Sequence, residues 1–179
     1  MKLFSLYILL CLIAIGCNHA TDPTYNQDYN TINSLDVKAA ISLANDWKFS
    51  NPKITSHVTP HELIIDFPDG RVIKKDLPVN EMYVAVAPYI NFTHTCETHY
   101  LSSCQGELTE KTFQVNAKDD TGHELLDENI ASMKNGFFEL WLPRNKTIQL
   151  HVSYNSLSAG ETVGTFDNSK TCITTINLK

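Results

Sequence analysis

The first part of the chain contains one helical and one hairpin pattern of apolar positions. Residues 33–48, NSLDVKAAISLANDWK, repeat apolar side chains at helical spacing and predict an amphipathic helix capped by Asn33 or Ser34. Residues 61–78, HELIIDFPDGRVIKKDLP, contain two strand-like runs around a Pro-Asp-Gly turn and predict a β-hairpin. A helix and a hairpin bury too little apolar surface to be very stable alone. We therefore expect residues 33–80 to form a small N-terminal region that packs on the rest of the chain or on a second copy of itself.

Over residues 81–179 the apolar pattern is typical of β-strands. MYVAVAPYI is one apolar strand, TFQVNAKDDTGHELL is two strands around a polar turn, and GFFELWLPRNKTIQLHVSY is two strands broken at residues 143–145. KTCITTINLK closes the chain as a final strand, with Cys172 on the same face as Ile176 and Leu178. Short strands at near-regular spacing predict an antiparallel sandwich. The predicted fold class is α+β: a small N-terminal helix plus β-hairpin region followed by an antiparallel β-sandwich domain.

The N-terminus has the pattern of an export signal. MKLFSLYILLCLIAIGC begins with a lysine and continues with an apolar run too short to span a bilayer comfortably. The junction at residues 14–17, Ala-Ile-Gly-Cys, predicts a lipoprotein-type signal peptide over residues 1–16 and lipidation of Cys17, with ordinary cleavage after Ala20 as the alternative. The polar residues 17–32 predict a tether. Any attachment to a membrane is then through a lipid anchor only.

Charge and motifs exclude several classes of function. The formal net charge is −6 and no basic cluster is present, so we expect no nucleic-acid partner. The sequence contains no Gly-rich phosphate loop, nucleophile elbow or His-Glu-x-x-His motif, so we do not expect an enzyme. Three cysteines could still exchange a disulfide or reduce Cu(II), although no Cys-x-x-Cys is present.

The cysteine count raises a question that pairing alone does not answer. Of five cysteines, Cys11 lies in the signal and Cys17 is the predicted lipidation site, which leaves Cys96, Cys104 and Cys172 in an oxidising compartment. An odd number is compatible with one structural disulfide and one inert buried cysteine. It is also compatible with a site where three sulfur atoms converge. The second arrangement requires the chain between Cys96 and Cys104 to double back.

Residues 93–104, THTCETHYLSSC, are the densest cluster of soft metal ligands in the chain. Thiolates favour Cu(I), which accepts two or three sulfur ligands, whereas zinc is the alternative if a fourth ligand is supplied. His99, three residues after Cys96, is the first candidate for an accessory ligand and His94 the second. The remaining histidines of the β-rich part and the hairpin are interpreted as surface groups: His57, His61, His123 and His151.

Three stretches together resemble the CueP family of periplasmic copper-binding proteins. They are VAVAPYINFTHTCETHYLSSCQGEL at residues 84–108, NGFFELWLPRNK at 135–146 and TCITTINL at 171–178. The resemblance implies copper binding in the periplasm of a Gram-negative bacterium, a role in copper tolerance, and copper delivery to exported enzymes. It also implies that the three cysteines of the mature chain carry this role.

The same resemblance implies a homodimer formed through the N-terminal region. Exported copper enzymes and periplasmic thiol-disulfide proteins are the expected partners. The alternative function, from the residues alone, is a disulfide-stapled β-sandwich lipoprotein that binds a protein or a glycan without metal.

Overall fold

The computed structural model describes residues 22–179, which form two α-helices and ten β-strands after a short 3-10 turn at Pro23–Tyr25. The predicted signal peptide over residues 1–16 and Cys17 lie outside the described residues. In chain order the elements are α1 (Asn26–Ser34), α2 (Val37–Ser50), β1 (Thr55–Val58), β2 (Glu62–Asp66), β3 (Val72–Asp76), β4 (Glu81–Val86), β5 (Thr112–Asp119), β6 (Glu124–Ala131), β7 (Phe138–Pro143), β8 (Thr147–Tyr154), β9 (Leu157–Gly164) and β10 (Cys172–Ile173).

Helix α1 occupies much of the segment that was predicted to be a tether, and that prediction is wrong for residues 23–32. Tyr25 and Ile32 are buried, and the ring of Tyr29 lies 5.3 Å from the ring of Phe67. The Arg71 guanidinium stacks over Tyr29 at 4.5 Å. Tyr25, Tyr29 and Ile32, spaced by four and three residues, form a helical stripe. The polar residues around them make this stripe difficult to recognise in the sequence.

Helix α2 forms where predicted, but its cap differs. The side chain of Asp36, rather than Asn33 or Ser34, accepts a hydrogen bond from the Ala39 amide at 2.9 Å. Ser34 instead ends α1 and donates to the Thr31 carbonyl. An aspartate fits an N-cap because its carboxylate accepts from the free amides of the first turn and interacts favourably with the helix dipole.

The predicted hairpin forms two strands of a three-stranded antiparallel sheet. Strands β2 and β3 pair with Asp66 opposite Val72 across the turn at residues 67–71. Gly70 has a φ of 86°, which the turn requires and which a residue with a Cβ rarely adopts. Strand β1, which the apolar pattern did not predict, pairs with the other side of β2.

The C-terminal part is a β-sandwich, so the predicted α+β fold class is confirmed. A four-stranded antiparallel sheet, in the order β6-β5-β8-β9, packs against a three-stranded sheet in the order β10-β4-β7. Their facing side chains form one buried cluster, which includes Phe113, Val115, Phe138 and Leu150. The pairing of β10 with β4 is parallel, which is the one departure from an antiparallel arrangement among the described strands.

The final strand is shorter than predicted, and its faces are assigned differently. Strand β10 contains only Cys172 and Ile173, and beyond it the chain pairs again only as an isolated bridge between Asn177 and Tyr89. Cys172 packs in a different buried cluster from Ile176 and Leu178, which belong to the interior of the sandwich. The prediction that these three side chains share a face is therefore wrong, since the strand alternation stops before it reaches Ile176.

A second buried cluster joins both parts of the chain. It contains Trp47 and Leu63 from the N-terminal region together with Tyr83, Phe137 and Cys172 from the β-rich part. The apolar face of α2 and of the hairpin sheet is therefore covered by the same chain. Among residues 22–179, neither helix combines the length and apolar composition that a membrane crossing requires.

Candidate metal centre

The segment from Cys96 to Cys104 doubles back, as a shared site requires. The amides of Ser103 and Cys104 both donate to the Tyr100 carbonyl, at 3.2 and 2.9 Å, and so close a tight turn. Leu101, within this turn, is fully buried and anchors it in the core. The turn brings the Sγ atoms of Cys96 and Cys104 to 3.5 Å from each other.

Strand β10 and its neighbours hold the other side of this segment. The amides of Thr171 and Cys172 donate to the Glu97 carbonyl at 3.0 and 3.2 Å. The Thr174 hydroxyl donates to the His94 carbonyl at 2.7 Å. Cys96 lies between these attachments, so the backbone brings it against Cys172.

The three cysteines predicted from the sequence do come together. Cys96 and Cys172 form a disulfide between residues 76 positions apart, and Cys104 is a free, half-buried cysteine. The sulfur atoms of Cys104 and Cys172 lie within 4.8 Å of each other. The three sulfur atoms therefore occupy a volume that a single metal ion could span once the disulfide is reduced.

His99 is the second component of the cluster, and its ring is fully buried. Nδ1 and Nε2 have no hydrogen-bond partner among the described residues, although buried polar atoms are normally paired. One of these nitrogens lies within 4.8 Å of both the Cys104 and the Cys172 sulfur atoms. Burial, more than the nearby Lys48 and His94, lowers the pKa of His99 from 6.5 to about 3. The imidazole is consequently neutral, which is the form that binds metals.

The surroundings of His99 explain its orientation. Its ring centroid lies 4.5 Å from that of Phe137 and 6.1 Å from that of Tyr83. Its backbone amide donates to the Thr171 hydroxyl at 3.0 Å, and that hydroxyl donates to the Val58 carbonyl at 2.6 Å. Aromatic walls and a fixed backbone hold the ring with one nitrogen beside the sulfur atoms of Cys104 and Cys172.

His94 lies on the outer side of the cluster and is half-buried. One of its ring nitrogens lies within 4.8 Å of the Cys96 and Cys104 sulfur atoms, and its buried Nε2 has no hydrogen-bond partner among the described residues. Together with Phe92, Cys104 and Gln105 it lines an open cleft of about 470 Å³. His94 and Cys104 are therefore the members of the cluster that solvent or a partner reaches from this side.

Lys48, on α2, was not predicted as part of the site. Its ammonium donates to the Cys104 carbonyl and to Gln105 Oε1, at 2.5 and 2.7 Å, and so ties the helix to the cysteine loop. Burial lowers the pKa of Lys48 and raises the pKa of the Cys104 thiol, although Lys48 itself opposes the second effect. No sequence signal relates residues 48 and 104, because their contact depends on how α2 packs.

The remaining histidines do not join the cluster. His61, His123 and His151 are exposed, as their interpretation as surface groups requires. His57 is half-buried, and its ring stacks on Tyr100 with 5.1 Å between centroids. Within residues 22–179, the convergent soft ligands are thus the three cysteines, His99 and His94.

Comparison with known proteins agrees with this chemistry. A family model described as periplasmic copper-binding protein CueP matches residues 40–177. The crystal structure of S.CueP shares the fold with a TM-score of 0.79 and 30% sequence identity, covering 89% of this chain and 99% of that chain. No curated protein matches the sequence. The family match extends over both the N-terminal region and the cysteine cluster, and on this basis the chain belongs to the CueP family of periplasmic copper-binding proteins.

Proposed function

We propose that this protein binds Cu(I) through the thiolates of Cys96, Cys104 and Cys172, and that it contributes to copper tolerance and supplies copper to exported enzymes. The observation that carries the proposal is the convergence of three sulfur atoms beside a buried, neutral histidine that lacks a hydrogen-bond partner. Soft thiolates favour Cu(I) over the harder divalent ions. His99 is the proposed accessory ligand, and His94 is placed at the entrance, where it receives incoming copper.

Zinc is the less favoured alternative. A tetrahedral zinc site would use the three cysteines together with His99. The three sulfur atoms alone already satisfy Cu(I), so Cu(I) does not need a histidine as a ligand, whereas tetrahedral zinc does. Competition between the two metals for the reduced protein separates these alternatives.

We also propose a redox step at the same site, and the disulfide between Cys96 and Cys172 supports it. Two Cu(II) ions each accept one electron from the thiolates of Cys96 and Cys172, which join as the disulfide, and the products are two Cu(I) ions. Any thiol protons pass to the solvent. An exported thiol-disulfide protein must then reduce the disulfide before all three sulfur atoms can bind Cu(I) again.

Substitution of each cysteine tests the three-sulfur site. We expect Cys172→Ser to weaken Cu(I) binding as strongly as Cys96→Ser or Cys104→Ser, by orders of magnitude, because each change removes one of three thiolates. The measurement is a competition titration of the reduced protein against a Cu(I) chelator. His151→Ala, at an exposed position outside the cluster, is the matched control and should leave binding unchanged. If Cys172→Ser binds Cu(I) as the parent does, the site does not include the final strand.

The metal-free alternative, a disulfide-stapled lipoprotein, gives a different thiol count. Under the copper proposal, mild reductant releases three reactive thiols in the mature chain, and Cu(I) protects them from alkylation. A staple would instead leave the disulfide of Cys96 and Cys172 resistant to reductant and unaffected by copper.

We further propose that Cys17 carries the lipid anchor and that the protein faces the periplasm from a membrane surface. The support is the Ala-Ile-Gly-Cys junction at residues 14–17. Mass spectrometry of the native N-terminus tests this. An unmodified start at Thr21 would remove the anchor and leave the copper proposal intact.

A further inference from the structure

The sheet of β10, β4 and β7 has an open edge at β7, on the side away from Cys172. Strand β7 pairs with β4 alone, and β6 is an edge strand of the facing sheet. A cleft of about 600 Å³, which we name the β7 edge cleft, lies between β6 and β7. It is lined by Leu126, Glu128 and Ile130 from β6 and by Glu139, Leu140 and Trp141 from β7, among others.

The backbone groups that face this cleft can be assigned. The Arg144 amide donates to the Asn80 carbonyl, so in the alternating antiparallel pattern the even-numbered residues of β7 face β4. Glu139 and Trp141 therefore direct their N–H and C=O groups away from the sheet. Pro143 closes this edge, because it has no N–H and its carbonyl accepts from the Thr165 hydroxyl at 2.7 Å.

The two faces of β7 carry different kinds of side chain at this edge. On one face of β7, Glu139 Oε1 accepts from the Tyr83 hydroxyl at 2.5 Å and from Asn45 Nδ2 at 2.6 Å. Its Oε2 accepts no hydrogen bond from the described residues and remains available. On the other face, Leu140 lies across the cleft from Leu126 of β6.

Two carboxylates of the cleft lack a cationic partner. Glu81 is paired with Lys38 at 2.5 Å. Glu128 and Glu139 make no ion pair within residues 22–179, and both line the cleft. The cleft therefore combines an apolar lining with unpaired negative charge.

We propose that the β7 edge cleft binds an extended segment of another polypeptide, about five residues long, in which basic and apolar side chains alternate. The segment adds a fourth strand to the sheet by pairing with the free backbone groups of Glu139 and Trp141. Its basic side chain opposite Glu139 meets Oε2, and its apolar side chains enter between Leu126 and Leu140. Pairing of β7 with strand β6 of a second copy is less favourable, because β6 carries Glu124, Asp127 and Glu128.

The position of the cleft relates it to the metal centre. Cys172 of β10 is in register with Ala85 of β4, which is in register with Glu139 of β7. With strands spaced about 4.8 Å apart, the docked segment would lie roughly 15 Å from the backbone of Cys172. A partner bound at the edge is thus held close to the cysteines without covering the opening beside His94.

The test is a titration of the full mature protein with acetyl-Leu-Lys-Leu-Lys-Leu-amide, followed by nitrogen-15 NMR at pH 8. The pH is set to 8 because burial raises the pKa of Glu139, and its carboxyl group must be ionised to attract the lysine side chain. The amides of Glu139 and Trp141 should shift most. The peptide with glutamate in place of lysine, and the peptide N-methylated on its backbone, should bind at least ten-fold more weakly.

Two variants and a control locate the interaction. Glu139→Gln keeps the oxygen that accepts from the Tyr83 hydroxyl and should weaken binding of the peptide at least five-fold. Leu126→Lys, which fills the cleft, should weaken binding by the same factor. Asp127→Asn, on the opposite face of β6, should have no effect. Equal weakening by Asp127→Asn, or shifts spread over all acidic residues, would show general charge attraction and overturn the proposal. Shifts of the same amides with protein concentration alone would identify a second copy as the occupant and overturn it as well.

Discussion

At the scale of single residues, His99 is placed at the expense of stability. A buried polar group without a hydrogen bond costs roughly 1–3 kcal/mol, and both ring nitrogens of His99 are in this state. An apolar residue would fill the space between Phe137 and Tyr83 without that cost. Residues that oppose folding in this way are expected where a function requires them.

The depressed pKa of His99 predicts how the stability of the metal-free protein depends on pH. In the unfolded chain the imidazole binds a proton below about pH 6.5, whereas in the folded protein it stays neutral down to about pH 3. The unfolded state binds more protons in this window, so stability falls as the pH falls. Between pH 7 and pH 5 the loss from this residue is about 2 kcal/mol.

Replacement of His99 by leucine should remove that pH dependence. We expect His99→Leu to be at least as stable as the parent at pH 7 and to lose about 2 kcal/mol less between pH 7 and pH 5. Urea unfolding with the disulfide intact measures both. His151→Leu, at an exposed position, should keep the pH dependence of the parent. Identical pH dependence in His99→Leu and in the parent would mean that His99 is hydrated and not buried.

The membership of the site follows only partly from the sequence. The convergence of Cys96, Cys104 and Cys172 is predictable, because an odd number of exported cysteines and a polar loop before a final strand favour it. The pairing of Cys96 with Cys172 is not predictable, since it depends on how β10 lies beside the loop. Lys48 and the aromatic walls of His99 come from elements that only tertiary packing brings together.

At the scale of elements, the polar composition of the N-terminal segment concealed a helix. Tyr25, Tyr29 and Ile32 make a helical stripe that is too sparse to recognise without the partner surface at Phe67. The hairpin and the strongly alternating strands were predictable, because one of their faces is buried and the other is wet. Strands β1 and β9 were not, since β1 has only four residues and β9 contains two glycines.

The N-cap of α2 gives a prediction at this scale. Asp36→Ala should lower the free energy of unfolding by about 1 kcal/mol, because the Ala39 amide loses its acceptor and the helix dipole loses a favourable charge. Ser34→Ala, at the position that the sequence pattern favoured, should change it by less than about 0.5 kcal/mol. Urea denaturation of both variants decides the matter. A larger loss of stability in Ser34→Ala than in Asp36→Ala would identify Ser34 as the N-cap and contradict this assignment.

At the scale of the whole molecule, we propose a homodimer formed through the N-terminal region. The shared core covers the inner faces of α2 and the hairpin sheet, so an interface must use their outer surface. Two valines are exposed on this part of the chain: Val72, at the open strand β3, has an exposed fraction of 47%, and Val79 one of 93%. Exposed apolar side chains next to an open strand are a suitable contact for a second copy.

Charged substitutions on this surface test the dimer. We expect the full mature protein to be dimeric in light scattering and the double variant Val72→Asp, Val79→Asp to be monomeric, because desolvated carboxylates oppose association. Phe166→Asp, which changes an exposed side chain of the β-rich part, is the control and should remain dimeric. A dimer that survives the first variant and dissociates with the second has its interface in the other half of the chain.

The disulfide between Cys96 and Cys172 turns most of the sandwich into a closed ring of chain, since strands β5 to β9 lie between its ends. Closing a loop of that length raises the free energy of the unfolded chain by about 4.5 kcal/mol in the loop-entropy description. Under the proposed copper site, a metal ion shared by the same cysteines would restore a comparable closure when the bond is reduced. The chain would then be a ring both when it is oxidised and when it carries copper. The reduced, empty form alone has open ends, and it is the form in which periplasmic proteases would meet the chain unfolded most often.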